Sequence, residues 1–325
     1  MLVSDFDYEL PKGLIAQRPL SKRDISKLMV VADKMTHSRF HTIVDYLEKG
    51  DVLVVNNSKV IPARLKGRKE TGGRIGLLIL KRKRGLVYEA QITGRVKPGD
   101  KIIIGDAEAR VLSVGEKSTV EFDKMPDIEN EGEMPTPPYI EEPLQNSSEY
   151  QTVYAEHEGS VAAPTAGFHF TPELLCSIQA KGVELAAVTL HVGLGTFLPV
   201  RCEDVREHRM HSEEYFITQK DADTINNRTG RLIVVGTTTL RCLESSADDG
   251  LVTPGQGEAD LFIYPGYRFR VRPDALVTNF HLPRSTLIML VSAYAGRERI
   301  MQCYKEAIEK GYRFYSFGDA MMIFG

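Results

Sequence analysis

Residues 64–122 read RLKGRKETGGRIGLLILKRKRGLVYEAQITGRVKPGDKIIIGDAEARVLSVGEKSTVEF. Short apolar runs recur here: RIGLLIL (74–80), LVYEAQI (86–92), KIIIG (101–105), ARVLSV (109–114) and STVEF (118–122). Between them stand Gly72-Gly73, Gly85, Pro98-Gly99-Asp100 and Gly115, residues that turn a chain. Strand-length runs about 8–12 residues apart predict a small all-β sandwich or barrel. The stretch is also charged unevenly. Residues 64–97 hold eleven Lys or Arg against Glu70 and Glu89, whereas 119–149 hold nine Asp or Glu against Lys124. The second block ends in MPDIENEGEMPTPPYIEEP, rich in Pro and acid, which reads as an ordered linker.

On either side the texture changes. VLVVNN (52–57) reads as a buried strand ending in polar residues. TPELLCSIQAKG (171–182) has Pro at a helix start, helical apolar spacing and a terminal Gly. VELAAVTLHVG (183–193) and RLIVVG (231–236) read as strands, and TTTLRCLESSA opens a helix at Thr238 or Thr239. Two more helices are predicted over 286–296 and 297–311. The predicted fold is therefore an α/β (α+β) main domain, discontinuous over 1–63 and 150–325, with a small all-β domain inserted over 64–149.

Composition narrows the function classes. The chain has 325 residues, 42% hydrophobic and 26% charged, with net charge −3, so it is globular and has no whole-chain basic footprint. Cys176, Cys202, Cys242 and Cys303 form no CxxC, which removes zinc ribbons and dithiol redox motifs. The first residues are acidic where a signal peptide is basic, and the apolar run 287–295 is far shorter than the ~20 residues of a membrane span. A soluble, cytoplasmic protein with reduced thiols is expected.

Four segments carry candidate chemistry. SVAAPTAGFHFTPELL (160–175) sets Gly167 and His169 before a helix start, where free N–H groups suit an anion; a capping turn with a core histidine is the alternative. TLHVGLGTFLPV (189–200) places His191 beside Gly193 and Gly195; Leu198 stands where a dinucleotide fingerprint needs its third glycine. VREHRMHSEEYF (205–216) spaces His208 and His211 three apart, on one face if helical, for acid/base work, RNA contact or, with a third ligand, metal. VVGTTTLRCLES (234–245) is strand, turn and helix without a P-loop; Thr237, Thr238 and Arg241 could hold a carboxylate or phosphate, and an N-cap with Arg241–Glu244 pairing is the alternative. Further on, FIYPGYRFR and TNFHLPRSTL mix Tyr264 and Tyr267 with Asn279, His281 and Arg284, a combination that suits a splayed-out base.

Taken in order, eleven strings give the chain a resemblance: DFDYELPKGLIAQRP, RDISKLMV, GDVLVVNNSKVIPARLKG, TPPYI, YQTVYAEHEGSVAAPTAGFHFT, TLHVGLGTF, EHRMHSE, VGTTTLR, FIYPGY, TNFHLPRSTL and YRFYSFGDAMMI. Running from residue 5 to 323, they resemble the S-adenosylmethionine:tRNA ribosyltransferase-isomerase family of the queuosine pathway. The sequence departs from that pattern at Gly76, where a glutamate is usual, at Leu198, where Arg or Gln is common, and at Phe168 in place of Leu.

The resemblance implies an inserted β-barrel and a reaction that moves and isomerises the ribosyl part of S-adenosylmethionine onto tRNA. The acceptor is 7-aminomethyl-7-deazaguanine at the wobble position, and epoxyqueuosine-tRNA, adenine and methionine are the products. S-adenosylmethionine is then a consumed substrate, and no metal or resident cofactor is needed. The chemistry asks for a base, an acid for adenine, and shelter for an ylide. His169, His191 and His211 are the candidate catalytic groups. Thr237, Thr238 and Arg241 would hold the methionine carboxylate or ribose hydroxyls, Tyr264 and Tyr267 would stack a base, and Asn279, His281 and Arg284 would read the flipped base or its phosphates. Lys81, Arg82, Lys83 and Arg84 are the expected tRNA backbone contact, with a solvated hairpin tip as the alternative. The expected partners are tRNA and S-adenosylmethionine, with no membrane, and the chain is expected to be a monomer. Two other readings stay open on residues alone: a non-catalytic tRNA-binding module, and a metal-dependent hydrolase built on His208 and His211.

Overall fold

A computed structural model describes all residues except 116, 194, 196–199 and 201. The chain forms two compact units. One holds Met1–Lys59, Pro138–His157 and Ala163–Gly325; the other holds Val60–Pro137 and Glu158–Ala162. Leu198 lies outside the described residues.

In chain order the strands of the two large sheets are β1 (Lys27–Val31), β2 (Met35–Arg39), β3 (Val52–Asn56), β4 (Arg64–Lys69), β5 (Arg74–Arg84), β6 (Val87–Thr93), β7 (Lys101–Ile104), β8 (Ala107–Ser113), β9 (Ser118–Phe122), β10 (Gly132–Glu133), β11 (Glu184–Leu190), β12 (Glu213–Ile217), β13 (Leu232–Val235), β14 (Gly255–Ala259), β15 (Ala275–Asn279) and β16 (Ala320–Phe324). The helices used below are α1 (Pro172–Ala180), α2 (Gln219–Asn226), α3 (Thr237–Ser246), α4 (Thr286–Ala295) and α5 (Arg297–Glu309).

The larger unit is built on a nine-stranded mixed sheet in the order β14-β12-β11-β3-β13-β15-β16-β1-β2. Its centre, β11-β3-β13-β15, is parallel. Every residue of β3, β13 and β15 is buried. These strands therefore read as continuous apolar runs rather than alternating ones, as expected when both faces are covered. Leu53, Val55, Ile233, Val235 and Val277 pack with Phe40, Phe170 and Leu174 into one core. Helix α1 starts where Thr171 accepts the Leu174 N–H at 3.2 Å, with Pro172 in its first turn. Helices α4 and α5 meet at Gly296, whose φ of +89° ends one and begins the other.

The smaller unit is a closed antiparallel barrel. Its strands run β4-β5-β6-β9-β8-β7, and β7 returns to β4. Closure settles the choice between sandwich and barrel, and it removes the sheet edges. Alternation supplies the interior: Leu65, Leu77, Ala90, Ile102, Val111 and Val120 are buried. Gly67 is required where β4 meets β7, because a Cβ there would lie 2.6 Å from Ile102 Cγ2.

Two readings of elements change. Strand β5 does not stop at Leu80 but continues through Lys81-Arg82-Lys83-Arg84, because pairing with β6 runs on to Arg84 opposite Val87. The acidic linker contains one helical turn, Ile128–Glu131, capped by Asp127, and then β10.

Candidate active site

Strands β3, β11, β13 and β15 point the same way, so their carboxyl ends share one side of the sheet. The chain leaves β3 for β11 on one side and later enters β13 on the other. Such a reversal of strand order opens a crevice at the strand ends, the usual ligand site of parallel sheets. A crevice is found there. It is lined by residues 163–166, Val192 after β11, Gly236, Thr237 and Thr238 after β13, Thr278, Asn279 and His281 at the end of β15, and Leu287. It is partly open to solvent, and its cavity volume is about 30 Å3.

Gly236 makes the β13–α3 turn with φ +93° and ψ 147°, a conformation essentially reserved for glycine. The turn aims the first turn of α3 at the crevice, and no side chain caps that end. The N–H groups of Thr237 and Thr238 and the helix dipole therefore present a site for an anionic group. Behind it, Asn56 at the end of β3 accepts from Leu190 N and Ser58 N and donates to Leu190 O, tying the β3 and β11 ends together.

The histidines differ in kind. His169 is buried and stacks on Phe40 at 4.8 Å. Its Nδ1 lies 2.8 Å from Ser26 Oγ and its Nε2 3.3 Å from Asn279 Oδ1. Asn279 donates its amide to Tyr315 O and Ser316 O, so Oδ1 faces the ring. Nε2 then carries the proton and Nδ1 accepts from Ser26. Burial, helped by Arg313 and Arg23, lowers the pKa of His169 to about 4. His281 is also buried, with Nε2 2.8 Å from Thr278 Oγ1, and burial lowers its pKa to about 3. Both rings stay neutral at pH 7. His191 is only half-buried. Its Nδ1 sits 2.8 Å from Ser58 Oγ, and its pKa is lowered mainly by burial, with Glu214 opposing.

Other candidates lie elsewhere. Arg241 is 3% exposed; it donates to Glu213 Oε2 at 2.6 Å and to Ala259 O at 3.0 Å, away from the crevice. Glu213 Oε1 accepts the Gly193 N–H, so this buried pair anchors the chain just after β11. The Arg241–Glu244 pairing does not form, because Glu244 instead accepts from the Tyr267 hydroxyl and from Arg270 and Val271 N–H. Tyr264 packs on Phe262, and Arg284 pairs with Asp7.

The segment with His208 and His211 is not helical beyond the short turn Val205–Glu207, because β12 begins at Glu213; the two rings therefore share no helix face. His208 meets Phe262 edge-on at 5.0 Å. His211 lies over Gly195, where a Cβ would come within 2.6 Å of its ring. Among the described residues, no group of three or more His, Cys, Asp or Glu could hold a metal ion. In the barrel unit, Lys83 pairs with Glu89, and Arg82 donates to Gly85 O.

The structure thus brings Thr237, Thr238, Asn279 and His281 to one crevice, with His169 directly behind Asn279. Sequence reasoning missed Ser26, Asn56, Ser58 and Thr278. For Asn56 and Ser58 the signal was present, as polar residues ending a buried strand.

The comparisons with known proteins match nearly the whole chain: a family model described as a queuosine biosynthesis protein covers residues 3–323. The chain belongs to the queuosine biosynthesis protein family. Among this family's relatives, an S-adenosylmethionine:tRNA ribosyltransferase-isomerase from Acetivibrio thermocellus is 51% identical, with 99% of this chain and 100% of the relative covered. One of the same name from Pelotomaculum thermopropionicum is 53% identical with the same coverage. A crystal structure of S-adenosylmethionine tRNA ribosyltransferase from Thermotoga maritima is 38% identical, with TM-score 0.57, over 98% of this chain and 100% of that one. Among the described residues, no helix of this family member is long and apolar enough to cross a membrane.

Proposed function

We propose that this chain is an S-adenosylmethionine:tRNA ribosyltransferase-isomerase. It moves the ribosyl part of S-adenosylmethionine onto the aminomethyl group of 7-aminomethyl-7-deazaguanine in tRNA and releases adenine and methionine. It acts as a monomer in the cytoplasm. The observation that carries this reading is the end-to-end match, at 51–53% identity, to relatives of that name. The crevice at the strand ends supports the reading, since parallel sheets bind their ligands at such a point.

The residues divide the work as follows. The methionine carboxylate sits on the N–H groups of Thr237 and Thr238, where the α3 dipole favours negative charge. His191 is the base that takes the acidic 5′ proton next to the sulfonium. It is neutral at pH 7, and Ser58 holds its Nδ1, so Nε2 is available. The resulting ylide opens the ribose ring, and loss of adenine leaves an aldehyde. The tRNA amine adds to the vinyl sulfonium, and the regenerated ylide closes on the aldehyde. The alkoxide then displaces methionine and forms the epoxide. Asn279 and His281 line the polar wall where adenine or the acceptor base rests, and His211 stands by the glycine turn as a proton donor. His169 is a positioning residue, since both ring nitrogens are already engaged and its partner Asn279 is the group in the crevice. Arg241 acts the same way, through Glu213 on Gly193. Tyr264, Tyr267 and Arg284 serve the tRNA side, and Lys81–Arg84 contact its backbone.

The test is mass spectrometry of tRNA carrying the aminomethyl precursor, incubated with the protein and S-adenosylmethionine. An epoxyqueuosine nucleoside with one equivalent of free adenine is expected. tRNA binding without either product would leave a binding module in its place.

A further inference from the structure

On the outside of the barrel, Arg68 of β4 stands directly opposite Arg74 of β5. Like charges facing each other across an antiparallel pair are unfavourable. Both arginines are exposed, and among the described residues neither has an ion pair or a side-chain hydrogen bond. Of the nearby carboxylates, Glu133 pairs with Lys66 and Asp100 with Lys69, while Glu70 lies 4.0 Å from Lys101 and lines the same groove as the two arginines. Among the described residues, no carboxylate therefore pairs with either arginine within the barrel.

The same two arginines line a groove of about 870 Å3. Its floor is short of side chains. Lys66 is paired across the sheet with Gly76, and Gly76 with Thr93. Gly76 has no positive φ, and a Cβ there would meet Thr93 Cβ at 3.4 Å, so the backbone does not demand glycine. A glycine inside a strand weakens it, and close approach of a ligand or another backbone is one of the uses such a position has. Beside Arg68, on the next strand, Ile103 is 46% exposed. Two unpartnered guanidinium groups over a bare sheet, with one exposed apolar side chain, fit a strand whose phosphates bridge the arginines while a sugar or base rests on the flat surface.

We propose that this face, centred on Arg68 and Arg74, is the barrel's clamp for the phosphate backbone of RNA. It rests on the reading of the chain as a tRNA-modifying enzyme. It is also distinct from the Lys81–Arg84 tip, which lies at the other end of β5, about 30 Å away at the rise of a strand.

The experiment titrates the full-length protein with an unmodified tRNA transcript at several salt concentrations, following fluorescence anisotropy. The proteins compared are wild type, R68Q/R74Q, G76E and a variant with Lys81–Arg84 all changed to Gln. R68Q/R74Q is expected to bind about 10-fold more weakly at 0.15 M salt, with a salt slope shallower by roughly 1–2, the loss of one or two phosphate contacts. Its melting temperature should be unchanged or higher, since a repulsion is removed; a structural role would lower it. G76E should fold normally and also bind more weakly. Wild-type affinity and slope in R68Q/R74Q would overturn the clamp, as would a loss confined to the Lys81–Arg84 variant. Wild-type protein that binds no tRNA would instead overturn the functional reading itself, so the two failures are distinguishable.

Discussion

At the residue scale, three histidines of one chain are lowered in pKa by burial but differ in access. His169 and His281 are buried against neutral partners, whereas His191 stays partly open with one nitrogen held. For His191→Gln, turnover is expected to fall by roughly 100- to 10,000-fold, the usual contribution of a general base, with S-adenosylmethionine still binding. Equilibrium dialysis alongside adenine release checks both halves. In wild type, kcat/KM should rise with pH through a midpoint below the ordinary imidazole value of 6.5, because burial lowers the pKa of His191. A midpoint above 6.5 would remove His191 as the base. Gly236 makes a conformational prediction: Gly236→Ala should cost about 1–3 kcal/mol of stability, the strain of a glycine-only φ/ψ region, as read by urea unfolding.

At the element scale, the buried Arg241–Glu213 pair connects α3, β12 and the turn after β11. Removing one partner leaves a charge buried alone. Arg241→Met should therefore destabilise by about 3–5 kcal/mol, and adding Glu213→Leu should restore much of that. Denaturant unfolding of the two single variants and the double variant measures it; additive losses would show that the pair is not coupled.

Elements were unequally legible in the sequence. The barrel strands announced themselves because KIIIG and STVEF alternate inward and outward residues between turn-formers. Strands β11 and β13 were legible as apolar runs, and α4 and α5 from their spacing and the glycine between them. The neighbours of β3 were not legible: β11 and β13 come from residues far along the chain, and parallel pairing leaves no local turn signal. The His208–His211 segment was misleading, since a three-residue spacing matters only on a helix and β12 claims the chain first. In the site, Thr237 could be found as a residue just after an apolar strand, and Asn279 from the polar cluster it shares with His281. Ser26 could not, because its role comes only from meeting His169.

At the scale of the whole molecule, the two buried histidines couple stability to pH. Unfolded, each takes a proton as pH falls through 6.5; folded, His169 does so only near 4 and His281 near 3. Stability is therefore full above about pH 6.5 and is lost as pH falls toward 4. Roughly 3 kcal/mol of that loss comes from His169 alone. Urea midpoints measured from pH 7.5 to 4.5 should fall steadily, and less steeply in His169→Gln. A flat profile would mean that these rings take up protons in the folded protein as readily as in the unfolded chain.

In the proposed reaction the sugar of S-adenosylmethionine, and not its methyl group, reaches tRNA. The most direct measurement follows two labels, one in the ribose and one in the methyl group, through a reaction with precursor tRNA. The ribose label should enter tRNA in step with free adenine, while the methyl label leaves with methionine. Methyl label in tRNA, with S-adenosylhomocysteine as the by-product, would show methyl transfer in place of ribosyl transfer.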